Sequence, residues 1–121
     1  MVEVAGAGDK ADARKAARTI ASSSLVKSAV YGADPNWGRV VAALGRSGAA
    51  VDENRIDLFI NGVCIVESGK AIPFHRDAVV ALMRGPEVTF RLHLNLGDGQ
   101  ATAWGCDLTE QYVIINSAYP T

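Results

Sequence analysis

Few residues in this chain could do chemistry, and they are scattered. His75 and His93, Cys64 and Cys106, and the serines Ser22, Ser23 and Ser24 are the candidate bases, ligands and nucleophiles. A zinc site needs more ligands than two isolated cysteines and two isolated histidines offer. Neither cysteine sits in a CxxC, so both read as reduced, packed thiols of a cytosolic protein. The serines lie at a helix end, and no GxSxG elbow is present to activate one. His93 falls on the polar face of a strand and His75 near a helix start. Asp52, Glu53 and Asp57 read as turn and hairpin surface, and no spacing forces two carboxylates into acid/base work.

Two short motifs stand out. The first, Gly6 to Ala11 ("GAGDKA"), fits GxGxxA between a strand and a helix, a turn that can hold a pyrophosphate at a helix N-terminus. The plainer alternative is a glycine bend leading into a capped helix. A dinucleotide fold needs a second parallel strand ending in an acid about twenty residues on, and a helical stretch occupies that place. The second motif is Tyr31 to Val40, "YGADPNWGRV". Asp34 and Pro35 suit a helix N-cap and first position. Asn36, Trp37 and Arg39 have no such account. A structural knot, with Trp37 packed and Arg39 paired to a carboxylate or carbonyl, is the first reading, and a supporting role beside a substrate is the second.

The elements that must position these residues follow from periodicity. Val2 to Ala5 reads as a strand. Asp9 caps a helix running to about Leu25, with Ala13, Ala16, Ala17, Ile20 and Ala21 as its apolar stripe. A second helix follows Asp34-Pro35 and stops at Gly45 or Gly48. "RIDLFI" and "VCIVES" flank Asn61-Gly62, the signature of a type I′ hairpin. His75 to Arg84 is a third helix. Val88, Phe90, Leu92, Leu94 and Leu96 alternate with polar residues, a strand with one buried face. Gly97-Asp98-Gly99 turns the chain, Ala101 to Leu108 returns as the partner of that strand, and "QYVIIN" is a last strand. The fold class is α+β, a mixed sheet carrying two to three helices, in the order β-α-α-β-β-α-β-β-β.

The whole chain, 1–121, reads as one domain. Twelve Lys plus Arg against thirteen Asp plus Glu leave a net charge of −1, so no basic surplus invites nucleic acid. The longest apolar run, Ala78 to Met83, is too short for a membrane span. No basic segment followed by an apolar stretch marks a signal peptide. The compartment read from this is cytoplasmic.

Three blocks taken together carry a resemblance: "SSLVKSAVYGADPNWGRVVAALGRSGA", "GDGQATAWGCDLT" and the ending "QYVIINSAYPT". They resemble the C-terminal part of the ornithine acetyltransferase family, also called glutamate N-acetyltransferase or arginine biosynthesis bifunctional protein. The resemblance runs from about Val2 to Thr121. It implies transfer of an acetyl group from N-acetylornithine to glutamate, some members also using acetyl-CoA. It implies a precursor that cuts itself into an α and a β chain. The new N-terminal threonine of the β chain then carries the acetyl group as an ester, its own amine acting as base. The oxyanion donors lie in the α chain. No metal or tightly bound cofactor is used.

Carried onto this sequence, the resemblance makes Asn116 and Thr121 substrate-binding residues. An Asn amide can meet both the ammonium and the carboxylate of an amino acid. The nucleophilic threonine and a substrate-binding glutamate fall upstream of Met1. The chain therefore reads as a fragment of the β chain, with no catalytic residue of its own and inactive alone. Its implied partners are the α chain and the rest of the β chain, assembled as an oligomer of αβ units. Two other readings compete: a nucleotide-binding module built on Gly6 and Gly8, and a scaffold that touches no substrate.

Overall fold

A computed structural model of the chain describes residues 1–105. The fold is α+β, built on a mixed six-stranded sheet. In chain order the elements are β1 (Val2–Ala7), α1 (Lys10–Ser22), α2 (Ser24–Tyr31), α3 (Trp37–Arg46), a single 3₁₀ turn (Glu53–Arg55), β2 (Asp57–Ile60), β3 (Val63–Glu67), β4 (Lys70–Ala71), α4 (Arg76–Met83), β5 (Phe90–His93) and β6 (Gly99–Ala103). The last expected strand, "QYVIIN", lies outside the described residues.

Across the sheet the order is β4-β3-β2-β5-β1-β6. β1 pairs parallel with β5 and antiparallel with β6. This corrects the expected hairpin of β5 with its successor: β1 is inserted between them. The Gly97-Asp98-Gly99 turn therefore crosses over the end of β1. The Gly6 carbonyl accepts hydrogen bonds from the amides of Leu96 and Gly97, 2.7 and 3.0 Å long.

Period-two alternation decides which face is buried. Val66, Leu58, Leu92 and Val4 follow one another across four strands and all face the helices. With Phe90, Ile60 and Val2 they join Ala13, Ala17, Ile20, Val79 and Met83 of the helices in one cluster. The neighbouring row, Cys64, Phe59, Arg91, Glu3 and Thr102, lies on the opposite face. There Arg91 and Glu3 form an exposed ion pair at 3.8 Å.

Four helices form where two to three were expected. The expected helix from Asp9 to Leu25 divides at Ser23, whose extended backbone ends α1 while its hydroxyl accepts from the Val26 amide to cap α2. Serine suits both jobs because its hydroxyl competes with helical hydrogen bonding. Asp9 caps α1 as the sequence indicates, its carboxylate accepting from the Asp12 amide at 2.7 Å. The hairpin also forms at Asn61-Gly62, with φ of 45° and 83° at the two residues. β4 was not anticipated. It returns from β3 through Ser68-Gly69, both at positive φ.

Candidate functional site

The "YGADPNWGRV" segment is the densest cluster of polar contacts that the sequence singled out. α3 begins two residues later than expected. Asn36, not Asp34, is its N-cap, its side-chain oxygen accepting from the Arg39 amide at 3.1 Å. The cause lies upstream. Ala33 takes a left-handed φ of 51° and its amide bonds back to Val30, so the end of α2 is still being closed at Asp34. A residue before proline also avoids the helical region. Asp34 becomes a brace instead. One carboxylate oxygen accepts from the Asn36 side-chain Nδ2 at 3.3 Å, and the other meets the Arg76 guanidinium at 3.5 Å, tying the segment to α4.

Arg39 reaches a carbonyl, as the structural reading required: its guanidinium donates to Leu25 O at 3.1 Å, bridging α3 to α2. Trp37 departs from that reading. Its indole is 40% exposed, so it is not packed. As the first residue of α3 it sits beyond the apolar stripe of Val40, Ala43 and Leu44 that turns inward.

The glycine-rich turn after β1 is a bend into a capped helix. Gly6 needs its freedom, with φ at 68° and a Cβ there standing 2.8 Å from both the Asn95 amide and His93 Nδ1. The backbone of residues 95–99 packs onto this turn: a Cβ on Gly97 would lie 2.9 Å from Ala7 O, and one on Gly99 would strike the Asp9 carbonyl. α1 leads into α2 rather than into a parallel strand ending in an acid. The arrangement lacks what a dinucleotide turn requires.

The scattered candidates resolve one by one. His75 caps α4, its Nδ1 accepting from the Ala78 amide at 3.0 Å. Ser22 donates to Arg18 O within α1. His93 faces Asp57 across the β2–β5 pairing, exposed, on the face away from the helices. The Asp57 carboxylate is taken up by the Ser68 amide at 2.9 Å and the Asn95 side chain at 3.1 Å. Asp52 caps the 3₁₀ turn and pairs with Arg55. Cys64 is a free, half-buried thiol. Its burial, with the carboxylates of Glu67 and Asp57 adding to it, pushes the thiol above its ordinary range. Such a thiol is a poor nucleophile at neutral pH. Among the described residues, no group of three His, Cys, Asp or Glu side chains could hold a metal ion. None of their helices is long and apolar enough to cross a membrane. Asn116 and Thr121 lie outside the described residues, as do Cys106 and Leu108.

What the geometry defines is a helix-backed mixed sheet whose signature segment serves as a brace between helices. Comparison with known proteins gives this class its family. The ArgJ family model matches residues 1–121. The chain is 49% identical over 120 residues to the arginine biosynthesis bifunctional protein ArgJ of Symbiobacterium thermophilum, covering 99% of this chain and 30% of that protein. It is also 49% identical over 121 residues to the protein of the same name from Thermus thermophilus, covering 100% of this chain and 32% of that one. A crystal structure of the arginine biosynthesis bifunctional protein ArgJ from Bacillus halodurans superposes with a TM-score of 0.89 at 39% identity, over 98% of this chain and 56% of that one. The chain belongs to the ArgJ family. It spans about a third of the length of the curated relatives it matches.

Proposed function

We propose that this chain is the C-terminal part of the β chain of a glutamate N-acetyltransferase. The complete protein moves an acetyl group from N-acetylornithine to glutamate in arginine biosynthesis. The acetyl group rides as an ester on an N-terminal threonine that this sequence does not contain, released by self-cleavage of a precursor. Residues 1–121 act as one domain of that cytoplasmic enzyme, an oligomer of αβ units. They contribute binding groups, Asn116 and Thr121, rather than a catalytic one. The α chain and the rest of the β chain complete the site.

The observation that carries this reading is the family match over all 121 residues, set against a length of about a third of the relatives. Among the described residues, His75, Ser22, Ser23, Asp52 and Asp57 each hydrogen-bond a backbone group.

The test is acetyl transfer from N-acetylornithine to glutamate, by this chain alone and by a complete protein carrying this sequence. Activity confined to the complete protein is the expected result. Turnover by the 121 residues alone would overturn the proposal, because a catalytic centre would then lie within them. In the complete protein, Asn116→Ala is expected to raise KM or lower kcat. Unchanged constants would leave this chain as a scaffold.

A further inference from the structure

α1 and β6 run side by side in the same direction. At one end a Cβ on Gly99 would strike the Asp9 carbonyl, and at the other a Cβ on Gly105 would lie 2.8 Å from Ala21 O. β6 closes the sheet on this side, so its outer edge has no strand against it among the described residues. Between that edge and the outer flank of α1 lies a channel of about 440 Å³, lined by Lys10, Arg14 and Arg18 above and by Gln100, Thr102 and Trp104 along the strand.

Lys10, Arg14 and Arg18 stand at successive i, i+4 positions on one helix flank, an arrangement that is self-repelling without counter-charges. Among the described residues none of the three has an ion-pair partner. The carboxylates of Asp9 and Asp12 turn instead to the amides of Asp12 and Ala50. Helical residues four apart rise by about 6 Å. Alternate residues of an extended strand are spaced by about 6.6 Å. A strand laid along β6 would thus bring every second side chain under one of the three cations.

We propose that this channel receives an extended acidic segment of another polypeptide, added to β6 as a further strand, with alternate carboxylates meeting Lys10, Arg14 and Arg18. The main chain supplies the pairing and the carboxylates set register and choice of partner. The proposal is independent of the acetyltransferase reading.

The test uses the 121-residue chain carrying Trp37→Phe, so that Trp104 is its only tryptophan, and a peptide Thr-Glu-Val-Glu-Val-Glu-Thr blocked at both ends. Saturable binding that shifts Trp104 emission and weakens with added salt is expected. Arg14→Ser and Arg18→Ser should each weaken it about fivefold. Lys15→Ser, an exposed charge of α1 outside the channel, should leave it unchanged. Replacing both valines of the peptide by proline should abolish binding, because proline cannot donate to the pairing. Absence of binding overturns the proposal. So does proline-substituted peptide binding as well as the parent, or tripolyphosphate binding in its place, since either would reduce the channel to a general anion patch.

Discussion

The Thr89 amide donates a 2.7 Å hydrogen bond to the side-chain oxygen of Asn61, the first residue of a tight turn 28 positions earlier. The same side chain donates to Leu82 O at 3.1 Å and Glu87 O at 3.2 Å. Asn61 therefore does two things. It tolerates the left-handed φ of the hairpin, and it pins the end of α4 and the approach to β5 against that hairpin. The two roles separate by substitution. Asn61→Gly keeps the turn and loses the three hydrogen bonds, at a cost of about 1–2 kcal/mol. Asn61→Ala adds left-handed strain of about 1 kcal/mol. Urea unfolding of the three proteins should rank them Asn, Gly, Ala.

The two glycines of "GAGDKA" should respond oppositely to alanine. Gly6→Ala forces a Cβ into the Asn95 amide and the His93 ring at a φ of 68°, and should cost about 2–4 kcal/mol. At Gly8 a Cβ meets nothing within 4 Å, so Gly8→Ala should be neutral or gain up to about 0.5 kcal/mol. Thermal melting of both variants decides it. Similar losses at both positions would indicate that the turn does more than bend.

Removal of the α3 cap should be equally selective. Asn36→Ala is expected to lower stability by about 1 kcal/mol, and Asn36→Ser, which restores an oxygen at the cap, should recover most of it. Asp34→Ala should cost less, since its pairing with Arg76 is 3.5 Å long and part-exposed. Were Asp34 the cap, as its place before Pro35 suggests, the ranking would be reversed.

These cases show which parts of the fold were legible in the sequence. Local chemistry was. The Asp9 cap, the Asn61-Gly62 hairpin, α4 and the buried alternation around β5 are each specified by residues within one or two turns of one another. The failures involve competition or distance. Asn36 took the cap from Asp34, which looked as good, and Ser23 broke a stretch that reads as one continuous helix, because the ends of α2 and α1 fixed where the next helix could start. The insertion of β1 between β5 and β6 joins residues far apart in the chain and leaves no local mark. The signature segment was visible as unusual, yet only its contacts with Leu25 and Arg76 tell what it holds together. The binding residues, Asn116 and Thr121, came from resemblance alone, since an Asn and a terminal Thr announce no chemistry by spacing.

Cys64 offers a readout of the sheet face away from the helices. Its thiol is raised by burial and by Glu67 and Asp57. In a Cys106→Ser background, iodoacetamide should react with native Cys64 at pH 8 more slowly than with the urea-unfolded chain. The native rate should climb as pH passes the ordinary thiol range, and Glu67→Gln should speed it. The sign for stability follows from the same shift. A thiol that ionises later in the folded state contributes stability below the unfolded pKa, and that contribution is lost as pH rises through the folded one. Equal native and unfolded rates at pH 8 would contradict the shift.

The placement of β1 carries a kinetic consequence. The Met1 nitrogen donates to Val88 O across 87 positions, and β1 pairs with β5 and β6. Within the described residues, β1 thus has no pairing partner until the chain has reached residues 90–103. Every helix and the β2–β3 hairpin can form from nearby segments in microseconds, but the centre of the sheet must wait for the ends of a long loop to meet. High contact order of this kind slows the search. Refolding should therefore show helical signal well before β1 gains hydrogen-exchange protection.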